Sequence, residues 1–145
     1  MVLSDHFTIE QLTASTTALK RGIDNVPNAE QVQNLTELAQ TLERVRDLLG
    51  HDLYIDSAFR CPKLNTAVGG SVTSAHLEGY AADFVCPNFG TPSEIGKAIQ
   101  VSEISFDQLI YEGTWVHISI DPRMRMEVLT AHFSGGKASY TTGIV

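Results

Sequence analysis

Phe106-Asp107-Gln108-Leu109-Ile110-Tyr111-Glu112, then Gly113-Thr114, then Trp115-Val116-His117-Ile118-Ser119-Ile120 is a pair of apolar runs around a glycine-bearing break. Two such runs separated by a Gly-X pair predict a β-hairpin, and Gly at the first turn position favours a type II′ turn. The register follows: Glu112 faces Trp115, and Ile110 faces His117. Cross-strand partners share a face, so Glu112, Trp115 and His117 project to one side while Val116 and Ile118 project to the other. Glu112 and His117 become diagonal neighbours, roughly 7–8 Å apart at the backbone.

Outward from the hairpin, Ala81-Ala82-Asp83-Phe84-Val85-Cys86 reads as a short buried strand stopped by Pro87, and Leu53 to Phe59 alternates as another strand. Between them Cys61 to Tyr80 is rich in turn residues and reads as loop. The strongest helix follows Asn28 as N-cap, with Val32, Leu35, Leu38, Ala39, Leu42, Val45, Leu48 and Leu49 on one stripe and Gly50 ending it. Thr8 to Gln11 and Thr91 to Glu94 are capping boxes, the second opening a helix through about Val101. The pattern predicts an α+β fold, helices packed against a small, mostly antiparallel sheet, in a single domain spanning 1–145.

The chain has 145 residues, with 10 Lys+Arg against 17 Asp+Glu and a net charge of −7. That balance argues against nucleic-acid binding, which needs a cationic footprint, and against a polybasic membrane anchor. The start, Met1 to His6, carries no secretory signal pattern, and no apolar run approaches the roughly 18 residues of a membrane span. The expectation is a monomer made in the cytoplasm without membrane insertion.

Three residues stand out chemically. His76 lies in the turn-rich segment Ser74 to Gly79; Asp83 puts an acid in an apolar strand; His117 interrupts Val116 and Ile118. A buried carboxylate needs a partner, because an unpaired buried charge costs several kcal/mol. Two imidazoles and one carboxylate leave the fourth corner of a tetrahedral zinc site open, which is the catalytic arrangement. Glu112 would then be placed to act as general acid and base without ligating the ion. A core histidine satisfied by a hydrogen bond remains the plain alternative for His117, and Cys86 an alternative ligand to Asp83. Glu78 after His76 gives H-x-E, but the thiolate pair of a nucleobase deaminase is missing, and no H-E-x-x-H is present. His6, His51 and His132 are expected to be exposed or locally bonded.

Ser57-Ala58-Phe59-Arg60-Cys61-Pro62, Leu64-Asn65, Val68-Gly69-Gly70 and Ser74-Ala75-His76-Leu77-Glu78-Gly79-Tyr80-Ala81-Ala82-Asp83-Phe84, with the hairpin strings, resemble the D-Ala-D-Ala carboxypeptidase family of zinc peptidases. That family shares its fold with the hedgehog signalling domain and includes phage endolysins; Phe7 to Leu12 and Gly22 to Asn25 are similar to the branch common in phages. The resemblance implies one zinc ion held by His76, Asp83 and His117. It implies that Arg60 binds substrate and neutralises the oxyanion, and that Ser74 hydrogen-bonds substrate. Glu112 is the candidate acid/base, although many members carry that acid where this chain has Thr114, and Trp115 is taken as substrate-binding cleft wall. The implied substrate is a peptidoglycan stem peptide, cut at D-Ala-D-Ala or at L-alanyl-D-glutamate, by a phage or prophage lysis enzyme acting on the wall once released. The competing expectation is a zinc-stabilised module that binds wall peptide or a protein partner without cutting it.

Overall fold

The computed structural model describes residues 1–144. Short helices α1 (Ile9–Thr13) and α2 (Thr16–Arg21) lead into the long helix α3 (Ala29–Leu49). Strand β1 (Tyr54–Ser57), helix α4 (Pro62–Ala67), a 3₁₀ turn (Ala75–Glu78) and strand β2 (Ala81–Val85) follow. Helix α5 (Pro92–Gln100) then precedes strands β3 (Gln108–Tyr111), β4 (Val116–Ser119), β5 (Glu127–Ser134) and β6 (Lys137–Thr142).

Local chemistry sets the helix ends. Asn28 and Gln31 close a reciprocal capping box on α3, and Gly50 ends it in the left-handed region at φ 72. The same box recurs at Thr8/Gln11 and Thr91/Glu94. Leu35, Leu38, Ala39, Leu42, Val45 and Leu49 are buried, but Leu48 lies at the stripe's edge and is exposed. Cys61 to Tyr80 is not all loop: Pro62 at the first helical position, where a missing N–H costs nothing, opens α4.

The six strands form one sheet in the order β1-β2-β4-β3-β5-β6. It is mixed: β3 pairs parallel with β5, and the other pairings are antiparallel. The hairpin register is as the sequence predicts, with Ile110 opposite His117 and Tyr111 opposite Val116. Its tip differs from type II′. The Thr114 N–H donates to the Glu112 carbonyl at 3.1 Å around Gly113 at φ 84, a tighter γ-turn.

Alternation gives the sheet two unlike faces. Ala82, Phe84, Leu109, Val116 and Ile118 point to one face and are buried in the core cluster with Leu35, Leu38, Leu42, Ile95 and Ile99 of α3 and α5. Ser57, Asp83, His117 and Ile110 are successive cross-strand partners, so they share the other face. The parallel register continues that face through Leu129, Ala131 and Phe133 of β5 to Tyr140 and Ala138 of β6. Between β4 and β5 the chain turns through Met124 (φ 41) and Met126 (φ 54), conformations costly for residues with a Cβ. Asp107 offsets that strain, accepting from the Arg125 guanidinium at 2.8 and 2.9 Å and from the Arg125 backbone N–H at 3.0 Å.

Candidate metal centre

Three neighbouring side chains hold the turn that carries His76. Gln31 and Asn34 of α3 donate to the carbonyls of Leu77 and Glu78. The Ser74 hydroxyl accepts from the His76 N–H at 3.2 Å, capping the 3₁₀ turn. Gly79 ends it at φ 80, where a Cβ would meet the Gln31 carbonyl at 3.0 Å and Leu35 Cγ at 3.2 Å. His76 is thereby aimed at Asp83 in β2, and antiparallel pairing places Asp83 opposite His117 in β4.

The three side chains converge. His117 Nδ1 lies 2.9 Å from Asp83 Oδ1, and His76 Nε2 lies 3.3 Å from Asp83 Oδ2. One donor atom from each falls within 4.8 Å of the others, so the group could hold a metal ion. His76 Nδ1 is 2.6 Å from the Ala58 carbonyl, which can only accept, so Nδ1 carries the proton. Burial pushes the His76 pKa down against the pull of Asp83, so Nε2 keeps its lone pair. That lone pair and a carboxylate oxygen, both acceptors, then face each other. A cation between them relieves the conflict, and the nitrogen-rich donor set suits zinc better than magnesium or calcium.

The surrounding charges are tuned by the same burial. Burial opposes ionisation of Asp83, but the two histidines outweigh it and hold the carboxyl far below its usual range. Burial likewise opposes charge on His117, and the hydrogen bond and charge of Asp83 turn the net shift upward. Arg60 approaches Asp83 Oδ2 at 3.6 Å and donates to Ser57 Oγ at 3.2 Å and Asn65 Oδ1 at 3.0 Å. Burial lowers its pKa, opposed by Asp83 and Glu112, and it stays a cation. A Cβ at Gly70 would collide with Asn65 and with the guanidinium itself. Asn25 pins the segment before α4 by donating to the carbonyls of Thr13 and Phe59 and accepting from the Cys61 N–H.

Glu112 stands past the end of β3, and the indole N–H of Trp115 donates to its Oε2 at 2.8 Å. Burial raises the Glu112 pKa above the usual carboxylate range, with Asp83 adding to the shift and His117 opposing it. Thr114 is exposed at the hairpin tip. A cleft of about 720 Å³ on the sheet face opposite α3 and α5 is lined by Arg60, Ser74, His76, Asp83, Glu112, Trp115 and His117 together. Every expected site residue therefore meets in one place. Cys86 does not join them: it is fully buried on the core side, its thiol toward the Asp52 carbonyl at 3.3 Å. His6 bonds Glu43, His132 bonds Thr141, and His51 is exposed.

Residues 5–119 match the family model described as Peptidase M15. The chain belongs to the M15 peptidase family. M15 peptidases are zinc-dependent metallopeptidases, and the match contains all three residues of the His-Asp-His group. No curated protein matches the chain. Among the described residues no helix is long and apolar enough to cross a membrane. Some residues that build the M15 site are not distinctive in sequence: Asn25, Gln31, Asn34 and Asn65 act through backbone groups or through Arg60. Strands β5 and β6 lie beyond the matched span, yet Phe133, Ala138 and Tyr140 line the cleft.

Proposed function

We propose that this M15 peptidase hydrolyses a peptide bond in bacterial peptidoglycan stem peptides, at D-Ala-D-Ala or at an endolysin-type L-alanyl-D-glutamate bond. The observation that carries the reading is a half-buried carboxyl group and a guanidinium beside a potential metal group in one cleft: Glu112 and Arg60 with His76, Asp83 and His117. A zinc ion held by those three side chains would polarise the scissile carbonyl and lower the pKa of water to about 7.

The chain's own groups do the rest. Glu112, with one oxygen fixed by Trp115, takes the proton of the attacking water on its other oxygen and delivers it to the leaving amine. Its raised pKa suits both halves of that exchange. Arg60, locked by Ser57 and Asn65, orients the substrate and offsets negative charge growing on the carbonyl oxygen. Ser74 contributes a hydroxyl to the substrate from the mouth of the same cleft. We take the protein to act as a monomer on the wall after release from the cytoplasm, as a phage lysis enzyme does.

Incubation of the zinc-loaded protein with purified peptidoglycan, followed by mass analysis of the soluble fraction, tests this reading. The expected result is fragments that share one new terminus and so name the bond. Binding to the wall without any fragments would instead identify a recognition module.

A further inference from the structure

The cleft extends well beyond the proposed machinery. Asp83 and His117 lie on adjacent strands β2 and β4, with β1 outside β2, while β3, β5 and β6 continue the sheet on the other side. At about 4.8 Å per strand, β6 stands roughly 14 Å from His117. An extended peptide covers about 3.3–3.6 Å per residue, so this arm of the groove has room for about four residues.

The floor of that arm is unusual for a solvated sheet edge. Ala131 pairs with Tyr140 and Phe133 pairs with Ala138, so these four share the cleft face of the hairpin formed by β5 and β6. The opposite face carries Thr130, His132, Ser134, Lys137, Ser139 and Thr141. Phe133 and Tyr140 are 59% and 52% exposed, although burying them against the protein itself would be favourable. Both line the same cleft as Glu112, and the Glu112 charge is close enough to help raise the Tyr140 phenol, after burial. The hairpin is also held in place. Asp107 fixes Arg125, the Glu127 N–H donates to the Asp107 carbonyl at 2.9 Å, and the Thr130 hydroxyl bonds the Gly143 carbonyl at 2.6 Å.

We propose that the β5–β6 hairpin is a substrate clamp. Phe133 and Tyr140 grip the chain of an extended peptide beyond the two residues that flank the scissile bond, which makes this protein a peptidase that prefers a long substrate. The proposal rests on the peptidase reading and adds a specificity element outside the family-matched residues. Continuity with the site argues for peptide as the occupant: the aromatic face is the far end of the cleft that holds Glu112 and His117.

The test compares kcat/KM for capped dipeptides, L-alanyl-D-glutamate and D-Ala-D-Ala, with that for the intact five-residue stem peptide, in the wild type and in the Phe133→Ala/Tyr140→Ala double variant. The wild type is expected to prefer the long substrate, and the double variant to lose about tenfold of that preference through KM, as expected when two aromatic contacts are removed. Tyr140→Phe, which keeps the ring, is expected to retain most of the preference. Equal losses on short and long substrates, or no length preference in the wild type, would overturn the clamp. If the wild type cuts nothing, the peptidase reading fails on its own, and stem-peptide affinity measured by calorimetry still tests the hairpin: equal affinity in wild type and double variant overturns it. Circular dichroism checks that the variant folds. A dimer in sedimentation that the double substitution dissolves, with peptide affinity unchanged, would assign the aromatic face to self-association instead and overturn the clamp.

Discussion

The two faces of the central sheet are made by alternate residues of the same strands, yet they follow opposite rules. On the helix-covered face, Phe84, Val116, Ile118 and Leu109 are fully buried among apolar side chains and carry no polar atom beyond the backbone. On the open face, the intervening positions hold Asp83 and His117, with Glu112 and Arg60 beside them. The first face earns stability by removing apolar area from water, at roughly 25 cal/mol per Å². The second assembles buried charge, which contributes little or nothing to stability unless a partner neutralises it. Folding and chemistry are thus divided between odd and even positions of one strand.

Substitutions can break or sharpen that division. The largest effect is expected for His117→Ala: metal content drops to near zero and hydrolysis to background, in a variant that circular dichroism shows to be folded. Next comes Glu112→Gln, which should retain metal but lower turnover by roughly 10²–10⁴, the usual value of a general base. Single-turnover kinetics on the zinc-loaded variant checks it, and near-normal turnover would remove Glu112 from the role. On the other face, Phe84→Ala should destabilise the fold by about 3–5 kcal/mol, read by urea unfolding, while the molecules still folded keep their metal affinity. A Phe84→Ala protein with full stability would dissolve the contrast between the faces.

The smallest effect is expected at Asp107, a buried carboxylate with a structural job. Its hydrogen bonds from Arg125 hold its pKa below the usual carboxylate range. Its contribution to stability is therefore complete above the unfolded value of about 3.9 and lost as pH falls towards the depressed folded value. Asp107→Asn should cost about 1–3 kcal/mol at neutral pH, and the gap from wild type should narrow below about pH 4 in acid-unfolding curves.

What the sequence discloses follows the same division. The helix α3, the capping boxes and the β3–β4 register are written in local signals, namely caps, periodicity and a glycine turn. The fold α4 adds to the Cys61–Tyr80 segment was hidden because Pro62 and the glycines around it read as turn residues. His76, Asp83 and His117 are conspicuous as polar residues in apolar or tight settings, but their convergence depends on the β2–β4 pairing, which no local pattern fixes. The hairpin of β5 and β6 carries a turn signal in Gly135-Gly136, both at positive φ. Its cleft-facing residues are Ala, Phe and Tyr, ordinary strand residues that announce nothing about a site.

Anomalous diffraction at the zinc edge from crystals grown with zinc tests the central claim most directly. The account predicts one peak about 2.0–2.2 Å from His76 Nε2, an Asp83 carboxylate oxygen and His117 Nδ1, absent in crystals of Asp83→Ala. A peak bound elsewhere, or one that persists undiminished in Asp83→Ala, would contradict it.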